Sequence, residues 1–193
     1  QDVTLHYGFG GGAQVDLELV DVNIRGAASG TDPVLNVASN SPTLNIASMG
    51  QGSENYVGEG NFGADGLREL NVSGDTFLKI DDTVDFISGQ PATIDASENT
   101  GGVKLSVDHE AIDITGSQGD DDFGVANTAG PTSTPLNIDT GAGQDVITFD
   151  TGITAASGSV LNGEDLTVSV EASTDLRDAD VSGVNNFLLS AAG

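Results

Sequence analysis

Apolar and polar residues alternate with a period of two along most of the chain, in short runs broken by glycine. Val3 and Leu5, then Val15, Leu17 and Leu19, then Val22 and Ile24 each put their apolar side chains on one side of an extended backbone. The glycine-rich stretches Gly8 to Gly12 and Gly26 to Gly30 lie between them as turns or loops. No segment keeps the 3.6-residue period of a helix for more than a turn, so the pattern predicts an all-β chain. Pro33 and Pro42 fall at strand starts, where a missing amide is tolerated.

The runs repeat. Leu-Asn followed by Val or Ile occurs at Leu35 to Val37, Leu44 to Ile46, Leu70 to Val72 and Leu136 to Ile138, with looser copies at Leu78 to Ile80, Leu105 to Val107, Ile112 to Ile114 and Leu166 to Val168. In each, the two apolar residues share one face and the residue between them points away, so stacked copies build an aliphatic ladder. Three longer segments align without gaps: Ile94 to Val103, Ile114 to Phe123 and Ile138 to Ile147. Their starts lie 20 and 24 residues apart, inside the roughly 20 to 50 residue period of solenoids. The sixth residue of each copy, Asn99, Gly119 or Gly143, is of a type that readily takes a positive φ, and the tenth, Val103, Phe123 or Ile147, is expected to point inward. The extra length before the third copy predicts a loop around Gly130, Pro131 and Pro135.

Composition narrows this picture. Glycine supplies 27 of 193 residues, aromatics only 5%, and tryptophan is absent, so the core must be thin and aliphatic, as in a narrow solenoid. Thirty acidic residues against five basic ones give a net charge of -25, which repels nucleic acid and anionic membranes and calls for cations or salt as a counterweight. So acidic a chain is a candidate for disorder, but 37% hydrophobic residues set in regular phrases argue for a fold. With no cysteine there is no disulfide and no thiolate metal site. No stretch reaches the ~20 apolar residues that span a bilayer. The chain opens at Gln1 without a Met or a basic-then-apolar leader, which reads as a mature protein, a fragment or one exported by a route that does not read the N-terminus, and its end inside a strand phrase at Gly193 reads as cut from something longer.

Candidate chemistry centres on Ile114 to Phe149. Gly119, Asp121 and Phe123, then Gly143, Asp145 and Ile147, repeat the core of the calcium-binding nonapeptide G-G-x-G-x-D-x-U-x. Calcium takes six to eight hard oxygens at ~2.3 to 2.6 Å, and a glycine-rich turn lets carbonyls converge beside an aspartate. One turn supplies only part of that shell, so a site is expected to be shared between neighbouring rungs. Asp121 and Asp145 are the expected carboxylate ligands, with carbonyls from Gly116 to Gly119 and from Thr140, Gly141 and Gly143. Gly101 stands where the first copy needs an aspartate, so that turn is expected to be structural. Gly163 and Asp165 start a similar phrase that ends on Thr167 and breaks the pattern. The alternative is a set of solvated Gly-Asp turns in an acidic protein. EF-hand spacing is absent.

ITGSQGDDDF and IDTGAGQDVITF resemble the repeats-in-toxin (RTX) calcium-binding repeats, and GLRELNVSGD, TIDASENTGGVKLSV and DLRDADVSGVNNFLLSA are similar to segments of RTX-type bacterial surface-layer proteins and large adhesins. The resemblance implies a right-handed parallel β-solenoid (a β-helix or β-roll), calcium-dependent folding, type I secretion and a non-catalytic structural role at the extracellular cell surface. Ser117 and Thr140 each replace one glycine of the motif. The expected organisation is a solenoid portion over 1–90, RTX-like calcium rungs over 91–152 and further solenoid strands over 153–193. Expected partners are calcium, further copies of the chain in a lattice or array, and surface polysaccharide; nucleic acid and membrane insertion are not expected. The rival readings are a carbohydrate-binding or adhesin module and a virion decoration or tail component. Catalysis is not expected: Gly119-Asp120-Asp121 resembles the paired carboxylates of pectin hydrolases, but the His-Gly and Arg-x-Lys such a site needs do not occur, nor does G-x-S-x-G. His6 and His109 stand alone and are expected at the surface or in turns.

Overall fold

Phrases of two or three apolar residues with glycine on either side are too short for anything but strands, and they pair with their own copies. The computed structural model describes residues 42–50, 54–58, 66–126, 135–150, 152–171 and 173–189 in full, and the backbone alone of 2–6, 13–15, 19–25, 34–37 and 59–61. Nineteen strands and no helix occur among the described residues. The first seven are β1 (Asp2–His6), β2 (Ala13–Val15), β3 (Leu19–Arg25), β4 (Val34–Val37), β5 (Thr43–Met49), β6 (Glu54–Val57) and β7 (Glu59–Asn61). Then come β8 (Glu69–Gly74), β9 (Phe77–Asp85), β10 (Ala92–Asn99), β11 (Val103–Asp108), β12 (Ile112–Thr115) and β13 (Asp122–Ala126). The last six are β14 (Asn137–Asp139), β15 (Gln144–Phe149), β16 (Val160–Asn162), β17 (Asp165–Val170), β18 (Asp180–Val181) and β19 (Val184–Leu189).

All pair in parallel. One sheet has nine strands in the order β1-β3-β5-β8-β10-β12-β14-β16-β18, a second has seven in the order β19-β17-β15-β13-β11-β9-β6, and β2-β4-β7 form a third. From β8 onward each turn gives one strand to the nine-stranded sheet and one to the seven-stranded sheet, through six turns that end in β18 and β19. The protein is therefore a parallel β-solenoid. The nine-stranded sheet runs unbroken past residues 90 and 152.

Register explains the repeating phrases. Leu44, Leu70, Ile94, Ile114, Ile138, Leu161 and Val181 stack in one column of the nine-stranded sheet. Leu105, Phe123, Ile147, Val168 and Phe187 form one in the seven-stranded sheet. Residues of both sheets join in one buried cluster, so the solenoid holds two aliphatic ladders facing each other where the repeats suggested one. The residues between the apolar positions point outward as expected; Asn71, for example, donates its amide to Asn45 of the rung before at 2.8 Å.

Local departures have local causes. Val15 and Leu19 belong to two strands and not one; Leu17, the Gly8 to Gly12 and Gly26 to Gly30 stretches, Pro33 and the Gly130-Pro131 loop lie outside the described residues. Pro42 does precede a strand, and its carbonyl accepts the Arg68 and Glu69 amides of the next turn at 2.9 and 3.0 Å.

Candidate functional site

The glycine-aspartate phrases form the turns that carry the chain from one sheet to the other. The turn between β12 and β13 lies directly against that between β14 and β15, because Ile114 pairs with Ile138 and Phe123 with Ile147. Gly116, Gly119 and Asp121 are thereby stacked on Thr140, Gly141, Gly143 and Asp145. The approach is close: a β-carbon on Gly116 would sit 2.2 Å from the Thr140 carbonyl oxygen and 2.6 Å from Asp121 Oδ2. One on Gly141 would sit 2.2 Å from the Ser117 carbonyl oxygen, and one on Gly119 would sit 2.7 Å from a backbone atom of Gly101 in the turn before. Thr140 is fully buried and donates its amide to the Asn162 carbonyl at 2.8 Å.

Of the three sixth residues, only Gly143 takes a positive φ, +130°. Its added β-carbon would meet the Gly119 carbonyl oxygen at 2.5 Å, whereas Gly89, at φ +75°, has open space around it. Gly143→Ala is therefore expected to cost clearly more stability than Gly89→Ala, whose penalty is the backbone term of about 1 kcal/mol alone. Urea titrations of the two variants check this; equal losses would mean that the turns do not stack as described. Asn99 caps its turn instead of taking a positive φ: its Oδ1 accepts the Gly101 and Gly102 amides at 2.8 and 2.9 Å.

The first aligned copy slips at this turn. Leu105, not Val103, pairs with Phe123, so the turn is two residues longer than the ungapped alignment allowed and Val103 falls opposite Asp121. Where an aspartate is missing, the residue in its place is thus Val103 rather than Gly101. The column runs Leu78, Val103, Asp121, Asp145, Leu166, Val184. Two carboxylates therefore occupy an inward column that is aliphatic on both sides, and both are buried, at 2% and 1% exposure. Asp165 pairs with Gln144 and lies outside that column.

The two aspartates differ in their partners. Asp121 Oδ1 accepts the Val103 amide at 2.7 Å and the Ser117 hydroxyl at 2.8 Å, and Oδ2 accepts the Ser117 amide at 2.6 Å. Asp145 Oδ1 accepts the Asp121 amide at 3.0 Å. Each carboxylate thus caps an amide one rung back. Asp145 Oδ2 is buried and makes no hydrogen bond; the Thr140 hydroxyl, 3.4 Å from the Asn162 carbonyl that accepts from it, is also close enough to hold the Asp145 carboxyl down. Ser117, noticed in the sequence only as a lost glycine, is the main support of Asp121. A serine four residues before an aspartate in a turn is a recognisable local hydrogen-bonding signal. Asp120, Asp122 and Asp139 also have partners, respectively the Gln144 amide, Lys104 and the Gly141 amide.

Burial pushes the Asp121 carboxyl up to about 6; the Ser117 and Val103 donors hold it down, and the charge of Asp145 adds to the rise. Burial also raises Asp145, against the Thr140 hydroxyl and the Asp121 amide, with help from the charges of Asp120 and Asp165. A carboxylate oxygen out of water and without a donor costs free energy unless a proton or a cation meets it. Among the described residues, Asp145 Oδ2 is the one buried side-chain nitrogen or oxygen that makes no hydrogen bond. At Asp121 both oxygens are already engaged by donors. Among the described residues no group of three or more His, Cys, Asp or Glu converges on a common point.

Two other features bear on the rival readings. A shallow trough of about 320 Å³ on the outer face of the seven-stranded sheet is lined by Asp81, Lys104, Ser106, Asp122, Thr148 and Asp150 among others, and no aromatic ring lines it to stack on a sugar. His109 lies in a turn as expected but is buried, with its ring nitrogens 3.0 Å from the Ala111 amide and 3.1 Å from the Ile87 carbonyl and its edge against Phe86. The side chain of His6 lies outside the described residues.

The fold and turns define a class: a parallel β-solenoid with two strands per turn and a pair of stacked, buried aspartates where the chain crosses between sheets. Comparison with known proteins gives no match, whether to a family model, a curated protein or a solved structure.

Proposed function

We propose that the chain is a calcium-binding structural module of a secreted bacterial surface protein, whose work is assembly and not catalysis. The observation that carries the reading is Asp145 Oδ2, a buried carboxylate oxygen without a donor in a turn packed against the carbonyls of its neighbour. The donor set supports calcium over a softer metal, since carboxylate, carbonyl and hydroxyl oxygens surround the turn and the chain has no thiol. Asp145 would hold the ion through Oδ2, together with carbonyls of the 116–119 and 140–143 turns, while Asp121 holds the Ser117 turn in shape behind it. Bound calcium would supply the positive charge that the buried carboxylates lack, which couples folding to the calcium of the medium. Extracellular location, type I export and assembly at a cell surface rest on the RTX resemblance.

Native mass spectrometry in the presence of calcium tests the site. The wild-type chain is expected to retain calcium and Asp145→Ala to lose at least one ion, and retention of every ion in both Asp145→Ala and Asp121→Ala would sink the reading.

A further inference from the structure

The residue that opens each of the two stacked turns lies beside the aspartate that closes it. In the first turn this residue is Gly116, and a β-carbon on it would stand 2.6 Å from Asp121 Oδ2. In the second it is Thr140, set in register by the Thr115–Asp139 pair, so a side chain takes the place that glycine leaves beside Asp121. Thr140 is fully buried. The next rung makes room for it: Gly163 follows Asn162, the partner of Asp139, and a β-carbon there would stand 2.3 Å from Thr140 Oγ1. A hydroxyl has one hydrogen and two lone pairs. The Thr140 hydroxyl donates to the Asn162 carbonyl at 3.4 Å, which also accepts the Thr140 amide at 2.8 Å. It lies close to the Asp145 carboxyl as well, but one hydrogen cannot serve both acceptors. No backbone amide makes good the difference. Ser117 donates its amide to Asp121 Oδ2 at 2.6 Å, whereas the corresponding Gly141 amide goes to Asp139 Oδ1 at 3.2 Å. A buried hydroxyl oxygen is thus left beside a carboxylate whose Oδ2 makes no hydrogen bond, an arrangement that a hard cation resolves.

We propose that the Thr140 hydroxyl oxygen is a direct ligand of the ion held at Asp145, and that the site reaches a third rung through the Asn162 carbonyl that orients this hydroxyl. The inference rests on the proposed calcium site and adds to it a side-chain ligand where a motif glycine offers only its carbonyl. A hydroxyl is a neutral, hard oxygen of the kind calcium accepts. With its hydrogen on the Asn162 carbonyl, its lone pairs are free for the ion; the carbonyl acts as outer-shell groups do when they fix the orientation of a metal ligand. Gly163 contributes by having no side chain, since any β-carbon there would displace Oγ1. The first turn has no equivalent. Gly116 carries no hydroxyl, and the Ser117 hydroxyl is engaged by Asp121 Oδ1 at 2.8 Å. The two turns are therefore unequal, and the ion belongs to Asp145 rather than to Asp121.

Two measurements test the ligand: calcium affinity by titration calorimetry, and the luminescence decay of terbium bound in place of calcium, compared in light and heavy water to count the waters on the ion. Thr140→Val removes the hydroxyl and little else; it is expected to weaken calcium by at least about tenfold and to add a water to bound terbium. Thr140→Ser should keep both wild-type values. Gly163→Ala should weaken calcium as Thr140→Val does and should cost nothing further when the two are combined, because both act on the same oxygen. Circular dichroism in chelator checks that each variant is folded. A folded Thr140→Val that binds calcium as tightly as wild type with the same water count, or a Thr140→Ser that loses as much as Thr140→Val, would overturn the proposal. Loss of the ion in Asp145→Ala alongside either result would leave the calcium site itself standing. Wild type that binds neither calcium nor terbium would overturn both.

Discussion

Phe123→Ala is expected to remove about 3–5 kcal/mol of stability, the cost of deleting a large, fully buried aromatic side chain. Phe123 is 0% exposed and stands in its column between Leu105 and Ile147. Both neighbours sit on strands fixed by ladder hydrogen bonds, so they cannot move far to fill the void. The loss is a large share of the ~5–15 kcal/mol that holds a typical domain together. In a solenoid, stability is close to a sum of rung terms and nearest-neighbour terms, so the variant should also split one unfolding transition into two. Urea denaturation followed by circular dichroism measures both effects, and Phe123→Leu, which keeps most of the volume, should lose much less. A loss below about 1 kcal/mol for Phe123→Ala would mean that the two sheets do not meet at this residue.

Acidification from pH 7 to 5 in chelator is expected to stabilise the fold, the reverse of ordinary acid denaturation. The folded-state carboxyl of Asp121 lies at about 6, above its usual 3.8. A raised acid binds its proton more tightly in the folded state, so its contribution is favourable at low pH and is lost as pH rises through about 6. A rise of roughly two units corresponds to about 3 kcal/mol, recovered on descending from pH 6 towards 4. Asp145 is shifted the same way by burial, and so is Asp85, by burial and the charges of Asp108 and Asp82. Asp81, held down by Lys79 and Tyr56, and Glu110, held down by the Gly89 amide, pull the other way. Both lie at the surface, where solvent screens their contribution, and their stabilisation is lost only when pH falls below the usual carboxylate range. The urea midpoint should thus rise as pH falls below 6 and peak near about 4. Asp121→Asn should flatten the rise between pH 6 and 4, and added calcium should reduce it in the wild type, because an ion at Asp145 competes with the proton that its raised carboxyl would otherwise take up. A wild-type midpoint that falls steadily from pH 7 to 5 would refute this account.

The sequence by itself determined the class of fold and the place of the turns. Strict alternation in Leu44 to Ile46 and Leu70 to Val72 admits only a strand with one buried face, and copies at solenoid spacing admit stacking in parallel. It also singled out Gly116 to Asp121 and Thr140 to Asp145 as matching turns, because glycine and aspartate at fixed offsets are a local signal. What it could not decide was which ladder each phrase joins. Leu70 to Val72 and Leu78 to Ile80 read alike, yet they lie in different sheets; periodicity records which side of a strand is buried and not which sheet receives it. Nor could it see the two extra residues that put Val103 in the aspartate column, since turn length is settled by closure against neighbouring rungs. The difference between Asp121 and Asp145 is likewise tertiary. Both close the same phrase, but one receives the Ser117 and Val103 donors and the other keeps a bare buried oxygen, because the groups that meet a side chain in a solenoid come from the rungs stacked on it as well as from its own turn.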